Sequence, residues 1–351
     1  MPLYLASLGF DGWQIGALGA MTPGIRWASA IALSWLADRR RVRRRILVVT
    51  AAVGSLCFVP LLVVRDFASV ALVFLAINLC HGTLVPMLDA IVVDHLDELG
   101  SDYGRLRLWG SISFIVGSAG SAPLVRAYGP SVVPWLLFVS SVALAPVMLL
   151  LPREQRGHPD RAGAPWTLLT PALTAFLATV FLAQASSGAW SGLFALHVRS
   201  LGLSDAVPGI AFAAAVVAEV ALFHRGRAVL GWLPPVELIR LTLVVTVVRW
   251  ALSAVVTSEP AVVLVQLGHV FTFSCFHLAA VALLSELVPA ENATSGQSLY
   301  GLMGFGLGGT IGIGLAGALV DRVGTSGVFW FEAALASAAL VPAWRLRRLR
   351  R

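Results

Sequence analysis

Hydrophobic residues run along this chain in long unbroken blocks, and short polar stretches separate one block from the next. A helix needs roughly 20 apolar residues to cross the hydrocarbon core of a bilayer, whereas a spanning strand alternates apolar and polar residues. The pattern therefore predicts membrane-spanning helices and argues against a β-barrel. We expect eleven such helices, over residues 13–36, 46–64, 67–93, 108–125, 131–151, 169–197, 205–224, 236–257, 260–284, 296–319 and 327–344.

The composition indicates the same class of protein. Of the 351 residues, 58% are hydrophobic and only 12% are charged, and the mean hydropathy is +0.85. Soluble domains carry about 25% charged residues, so this chain has too few of them to cover a surface that faces water. We therefore predict an all-α membrane protein.

A short motif occurs twice and indicates internal symmetry. Residues 3–10 return as residues 196–203, and Gly16 and Gly209 keep the same spacing of 193. An apolar helix leads into the second copy, whereas the first copy starts almost at Met1. We therefore expect two pseudo-symmetric helical bundles with twelve helices, of which eleven are present and the first lies upstream of Met1. A start codon placed too late and a true shortening of the protein both remain open.

The longest hydrophilic stretch of the chain divides the two bundles. We predict an N-terminal bundle of five helices over residues 1–151, a cytoplasmic linker over residues 152–168, and a C-terminal bundle of six helices over residues 169–351. The deficit of one helix on the N-terminal side agrees with the offset of the repeat.

The basic residues indicate how the chain is oriented. All 25 are arginines, the net charge is +7, and over alternate loops 19 arginines lie on one side of the membrane and four on the other. Positively charged loops stay in the cytoplasm and attract anionic lipid. The distribution therefore predicts a multi-pass protein of the bacterial inner membrane with a cytoplasmic C-terminus, and it argues against binding of nucleic acid.

The sequence carries no motif of an enzyme. It contains no HExxH zinc motif, no GxSxG nucleophile motif and no phosphate-binding loop. The three cysteines lie inside apolar segments without the spacing of metal ligands. We therefore expect no catalytic residue, no metal and no cofactor, and the missing phosphate-binding loop argues against an ATP-driven pump.

Several segments resemble those of a known family. Residues 34–41 are similar to the loop Gly-x-x-x-Asp-Arg-x-Gly-Arg of the major facilitator superfamily, although Ser34 and Arg41 replace both glycines. Residues 103–111 and 266–277 resemble a branch that contains phenylpropionate permeases and nucleoside–proton symporters. The resemblance implies the major facilitator fold, which has two six-helix halves.

The same resemblance implies a device that holds the two halves together. A second copy of the loop motif lies at residues 317–324. A solvated turn is the alternative interpretation of the loop. The residues to which the resemblance gives the role of a conformational latch are Asp38, Arg39, Arg105 and Arg107.

Polar residues inside the predicted helices are the candidates for a transport path. An isolated charge at the bilayer centre costs about 2.5–3.5 kcal/mol, so it persists only when it is paired or faces a cavity. We expect Arg249 to pair with Glu219, and we expect His269, Phe273 and His277 to share one helix face because they are four residues apart. The predicted substrate and proton path consists of Arg26, His81, Asp89, Gln184, Trp190, Glu219, Arg249, His269, Phe273 and His277.

Each of these residues also has an interpretation in which it only packs. A histidine can bond a carbonyl of a neighbouring helix, the Arg249–Glu219 pair can serve packing alone, and Gln184 can belong to a hydrogen-bonded seam between helices. These alternatives remain open at this stage.

Together these features predict a secondary active transporter, most simply a proton symporter of a small organic solute that works by alternating access. The resemblance suggests an aromatic carboxylate, a nucleoside or a sugar-like molecule as the solute. The expected partners are the solute, the proton and the lipid bilayer, and we expect a monomer. The alternative is a truncated, transport-inactive protein or a membrane sensor that uses the same fold.

Overall fold

The structure is a computed structural model that describes residues 1–40, 42–85, 87–88, 91, 103–152, 169–225, 229, 231, 233–289 and 293–349. In this part of the chain every regular element is a helix. The helices before the predicted linker are α1 Pro2–Ser7, α2 Gly12–Arg40, α3 Arg43–Leu56, α4 Phe67–His81, α5 Tyr103–Tyr128 and α6 Val133–Met148.

The second part of the chain contains shorter and more interrupted helices. They are α7 Pro171–Ala185, α8 Gly188–Gly192, α9 Phe194–Ser200, α10 Val207–His224, α11 Pro235–Val255, α12 Glu259–Gln266, α13 Phe276–Leu287, α14 Ala293–Gly301 and α15 Gly309–Leu349. Two π-helical segments, Val270–Cys275 and Leu302–Gly308, connect α12 to α13 and α14 to α15. Within α15 the chain bends at Gly324, whose φ of 69° suits a residue without a side chain.

Local sequence signals set the beginnings of several helices. The side chain of Thr170 accepts a hydrogen bond of 3.1 Å from the N–H of Leu173 and caps α7. Asp66 caps α4 in the same way through the N–H of Ser69. Proline occupies the first turn of α7, α10 and α11, where its missing N–H leaves no hydrogen bond unmade.

The helices agree with the apolar segments that the sequence predicts. Each of the eleven predicted spans overlaps a helix of the described residues. Five helical stretches are long and apolar enough to cross a membrane, namely Arg43–Leu62, Pro130–Met148, Pro235–Val255, Glu259–Leu287 and Gly296–Leu346. The all-helical membrane architecture is confirmed. The count of eleven spans out of twelve and the bounds of the linker, most of which lies outside the described residues, stay predictions.

The predicted linker divides the helices into two groups by position in the chain, and packing contacts occur both within and between these groups. Before the linker α3 packs against α4 and α6, and α2 packs against α4. After the linker α15 packs against α7 and α11, and α11 packs against α13. The two groups meet where α2 packs against α15 and where α5 packs against α10. Large apolar side chains such as Val63, Leu72 and Leu150 are exposed on the outside, as expected of a surface that faces lipid.

The contact between α2 and α15 depends on small residues and one carboxylate. A side chain on Gly16 would collide with the backbone of Gly317, so only glycine allows this close approach. One turn further along, the carboxylate of Asp321 accepts hydrogen bonds from the N–H groups of Gly12, at 3.0 Å, and Trp13, at 2.9 Å. Asp321 therefore caps the N-terminus of α2 from the other half of the molecule, where the partial positive charge of that helix favours an anion.

We predict that Asp321→Ala weakens the closed contact between α2 and α15. Loss of an N-cap costs about 0.5–2 kcal/mol, and 1 kcal/mol changes the ratio of closed to open molecules about fivefold. Electron–electron distance measurements between spin labels at Leu8 and Val323, in a background without the native cysteines, should show a larger population at long distance.

Asp66→Ala is the matched control for this prediction. Asp66 also caps a helix, and hydrogen bonds from backbone N–H groups, chiefly that of Ser69, lower its pKa, but its helix lies in the same half of the chain. The control should leave the distance distribution unchanged. An unchanged distribution for Asp321→Ala, or an equal change in both variants, contradicts a cap that joins the halves.

Candidate functional site

A cavity of about 590 Å³ lies between the two groups of helices. Residues of α1, α2, α4, α7, α8, α11 and α15 surround it, together with both π-helical segments. Those from before the linker include Ile15, Gly19, Arg26, Trp27 and Phe74, and those from after it include Gln184, Trp190, Arg249, His269, Thr272, Phe273 and Phe305. None of the described residues that line this cavity is acidic.

Irregular backbone borders the cavity on its second side. The chain breaks between α7 and α8 around Ser187, and the two π-helical segments contribute Thr272, Phe273 and Phe305. In a membrane, backbone that leaves the α-helical pattern is tolerated only where it is buried in protein or lines a cavity. π-Helical turns are rare and occur often at functional sites. The irregularities thus coincide with the place where a ligand can be held.

Arg249 is the buried cation of the cavity wall, and its side chain is only 3% exposed. Its guanidinium donates hydrogen bonds to the Gln266 side-chain oxygen, at 2.6 Å, and to the Thr272 hydroxyl, at 2.5 Å. The guanidinium carbon lies 4.7 Å from the ring centre of Trp190 and 4.3 Å from that of Trp250. Hydrogen bonds and ring faces together replace part of the water that a buried cation has lost, while Arg249 Nε has no hydrogen-bond partner among the described residues.

A column of rings continues from Arg249 along one helix face. A guanidinium nitrogen of Arg249 donates to His269 Nδ1 at 3.4 Å. The His269 ring stacks on Phe273 with centroids 5.3 Å apart, and Phe273 stacks on His277 at 6.0 Å. His277 Nδ1 lies 2.7 Å from the hydroxyl of Tyr300. The three residues share a face, as their spacing predicts, while their role in a transport path stays a prediction.

The predicted partner of Arg249 is wrong. Glu219 lies with its carboxylate 3.7 Å from His269 Nε2 instead. The acidic residue whose charge acts on Arg249 is Glu332, which sits on α15 and is 1% exposed. The depth of a residue in its helix can be read from the sequence, but the sequence does not show which helices face each other, so the pairing was assigned to the wrong acid.

Arg26 brings a second cation to the cavity from the opposite group of helices. Its Nε donates to the side-chain oxygen of Asn78 at 2.9 Å. Asn78 in turn donates to the carbonyl of Phe74 on its own helix at 2.8 Å, which fixes the orientation of the amide. Two guanidinium groups therefore face one cavity from its two sides.

The remaining predicted residues are placed as follows. Gln184 and Trp190 line the cavity, together with Ser187 and Ser191. His81 is not among the lining residues: its Nδ1 lies 2.9 Å from the carbonyl of Ile77 and its Nε2 lies 3.1 Å from the Ser141 hydroxyl. The residues that lie outside the described part of the chain, entirely or in their side chains, are Asp89, Asp38, Arg39, Arg105 and Arg107.

Four polar residues near the site were not included in the predicted path, namely Asn78, Gln266, Thr272 and Glu332, although Gln266 and Thr272 belong to the motif at residues 266–277. Asn78, Gln266 and Glu332 each stand in an apolar segment, so the rule that singled out Arg26 and Arg249 could have found them. Thr272 offers no such signal, because hydroxyl side chains can satisfy themselves on their own helix backbone.

Comparison with known proteins identifies similar chains. The model of the MFS_1 like family matches residues 1–331. The probable 3-phenylpropionic acid transporter of Escherichia coli (strain K12) is 30% identical over 276 residues, which cover 77% of this chain and 72% of that protein. The maltose permease of Geobacillus stearothermophilus is 23% identical over 327 residues, or 92% of this chain and 82% of that one.

Solved structures share the architecture. A variant of the nucleoside transporter NupG superposes with a TM-score of 0.86 at 17% identity, and the match covers 100% of this chain and 94% of that chain. A POT family transporter in complex with a thioalcohol conjugated peptide gives a TM-score of 0.71 at 13% identity, over 98% of this chain and 88% of that one. At these identities the likeness shows the fold, which confirms the predicted fold class.

We predict that Gln266→Leu destabilises the protein through Arg249. The substitution keeps the volume but removes the oxygen that accepts from the guanidinium, and a buried donor left without a partner costs about 1–3 kcal/mol. The melting temperature of the purified protein in detergent should fall by several degrees. Gln297→Leu, at an exposed position of α14, is the control and should leave it nearly unchanged. Equal melting temperatures for the two variants contradict the role of Gln266.

Proposed function

Because this chain belongs to the MFS_1 like family, we propose that it is a proton-coupled secondary transporter that carries small organic anions by alternating access. Membership of the family confirms the resemblance found in the sequence motifs. The protein is a multi-pass membrane transporter and not an enzyme. The anion, the proton and a location in the bacterial inner membrane with a cytoplasmic C-terminus belong to the proposal.

The observation that supports an anionic solute is the pair of guanidinium groups at a cavity whose described lining residues include no acid. Arg26 and Arg249 reach the cavity from opposite halves. A carboxylate on the solute can accept charge-assisted hydrogen bonds from either arginine. An arginine in each half also lets the solute bridge the halves when the molecule closes around it.

The cavity walls favour an aromatic body on that anion. Trp190, Phe273 and Phe305 line the cavity, and rings attract other rings in offset or edge-to-face arrangements. The relative from Escherichia coli is named a probable transporter of 3-phenylpropionic acid, which is an aromatic carboxylate. An arylalkanoic acid is therefore the solute class that agrees with both the walls and the charges.

Rocking of the two halves about this cavity is the proposed motion. Secondary transporters of this kind bind their solute near the bilayer midplane between two bundles and expose it to each side in turn. The α2–α15 contact joins the two sides through closely packed small residues and a carboxylate cap on the N-terminus of α2, and in this proposal it is the contact that opens and closes. The gradient of protons supplies the driving force in this proposal.

Uptake into proteoliposomes tests the proposal. Vesicles with the purified protein should accumulate 3-phenylpropionate when the outside is more acidic, and an uncoupler should abolish the accumulation. Maltose and uridine are the parallel probes. If the vesicles accumulate maltose or uridine but not 3-phenylpropionate, the proposed anionic solute is contradicted. Equal uptake with and without the pH gradient contradicts proton coupling. Uptake of none of the probes supports the transport-inactive alternative.

We predict that Arg26→Gln and Arg249→Gln each weaken the binding of 3-phenylpropionate. A hydrogen bond to a charged group contributes about 1.5–3 kcal/mol, so the Kd should rise about tenfold or more. Arg65→Gln is the control, because Arg65 is exposed and bonds carbonyls of its own loop. Calorimetry on the purified variants measures the Kd, and the uncharged 3-phenylpropionamide should bind poorly to the parent. Unchanged Kd values for both cavity variants contradict the anion site.

We predict that His269→Ala reduces uptake more than His277→Ala. His269 lines the cavity and touches both Arg249 and Glu219, whereas His277 is about two turns further along and bonds Tyr300. Initial rates of 3-phenylpropionate uptake between pH 5.5 and 8, divided by the amount of protein in the vesicles, give the comparison. Parental rates for both variants over this range assign both histidines to packing.

A further inference from the structure

Glu332 is a fully buried carboxyl with one oxygen held and one oxygen free. Its first oxygen accepts a hydrogen bond from the backbone N–H of Ala189, at the beginning of α8. Its second oxygen, Oε2, is buried and has no hydrogen-bond partner among the residues that the structure describes. A buried carboxylate oxygen without a donor is costly. A proton on Oε2 removes that cost because it removes the charge.

One group of opposite charge, the guanidinium of Arg249, acts on Glu332 without contacting it directly. The charges of Glu332 and Arg249 act on each other, although no ion pair within 4.0 Å joins these two residues, both of which the structure describes. Among the helices that pack against α15, α7 and α8 carry no ionisable side chain, α9 carries His197 and Arg199, α11 carries Glu237, Arg240 and Arg249, and α2 carries Arg26 at the cavity. His197 is already engaged with the Thr325 hydroxyl and the carbonyl of Ser253.

A short path leads from Glu332 to the cavity. Ser187 and Trp190 flank the Gly188–Ala189 backbone against which Glu332 rests, and both line the cavity. The ring of Trp190 also covers the guanidinium of Arg249. Two consecutive residues, Ala189 and Trp190, therefore join Glu332 to the proposed anion-binding arginine. Ala189 donates to the carboxyl of Glu332, and Trp190 covers the guanidinium of Arg249.

Two other acidic residues close to the boundary between the halves, Glu219 and Asp321, already have polar partners. Glu219 faces His269, and Asp321 accepts from two N–H groups of α2. Glu332 differs from them, because its Oε2 can gain a proton without breaking a bond that the structure shows.

We propose that Glu332 is the proton-carrying group of transport and that it takes up one proton on Oε2 when an organic anion binds to Arg249. This inference rests on the proposed function as an anion–proton symporter. Before binding, the carboxylate of Glu332 balances the buried guanidinium. After binding, the carboxylate of the solute balances it, and Glu332 becomes neutral. The buried cluster keeps its net charge in both states, which makes co-binding of anion and proton favourable.

The balance of the step is simple. One O–H bond forms on Oε2 with a proton from the side of entry, and the same bond breaks when the anion leaves to the other side. No other bond is made or broken, and no oxidant or reductant takes part. Because a neutral carboxyl accepts a weaker hydrogen bond than a carboxylate, protonation also loosens the hold of Glu332 on the beginning of α8, next to the ring of Trp190.

The first test compares Glu332→Gln with Glu237→Gln in proteoliposomes. The amide of Gln imitates a permanently protonated carboxyl, so exchange of labelled for unlabelled 3-phenylpropionate at equal pH should persist. Accumulation driven by a pH gradient should fall about tenfold or more, since the group no longer releases a proton. Glu237 forms an ion pair with Arg240 at 2.7 Å, away from the cavity, and its variant should retain accumulation. Accumulation by Glu332→Gln at the parental level overturns the inference.

A second measurement on the parental protein decides the matter where Glu332→Gln loses exchange or fails to fold. Infrared difference spectra on addition of 3-phenylpropionate should show a new carbonyl band of a protonated carboxylic acid, and a pH indicator should record about one proton taken up per anion bound. The band should persist in Glu219→Gln. Absence of the band in a protein that binds the anion, or its loss in a Glu219→Gln variant that still binds the anion, overturns the assignment to Glu332.

The two failures can be told apart. A parental protein that neither binds nor transports 3-phenylpropionate or another arylalkanoate contradicts the proposed function. A parental protein that accumulates the anion with the pH gradient, while Glu332→Gln does the same, contradicts only the inference about Glu332.

Discussion

A guanidinium buried in a hydrocarbon layer has to be solvated by the protein itself, and neighbours on several elements meet this need for Arg249. Gln266 and Thr272 accept its hydrogen bonds, Trp190 and Trp250 offer their ring faces, and Glu332 supplies a negative charge. These groups come from several different elements. The position of one cation therefore restricts how α8, α11, α12 and α15 can pack around it.

Interrupted helices give this cation a cavity instead of a closed core. An unbroken α-helix satisfies its own backbone groups, so its only contribution to a site is side chains. Here the break before α8 leaves the N–H of Ala189 free for Glu332. The π-helical turn at Val270–Cys275 places Thr272 and Phe273 on the cavity wall. The second half thus combines backbone donors, hydroxyls and rings around the same space.

How much the sequence could predict depends on whether a feature is local. The apolar blocks predicted every described spanning helix, and four-residue spacing predicted the stacked column of His269, Phe273 and His277. Which helices pack against each other is not encoded locally in the sequence. Arg249 was therefore paired with Glu219, although Glu332 is the acid whose charge acts on it. The π-helical turns and the break before α8 were also not predicted, because they arise from packing and leave no signal in the composition.

The helix α15 connects the two ends of the proposed mechanism. Its first part carries Gly317 and Asp321, which contact α2 of the other half, and its last part carries Glu332, which holds the beginning of α8. The bend at Gly324 separates the two parts, so each can respond to its own partner. Small residues and one carboxylate cap hold α2 against α15, whereas the buried charges around Arg249 cost much to unbalance. In this proposal both the contact at the interface and the charge balance around Arg249 therefore bear on which state of the transporter is favoured.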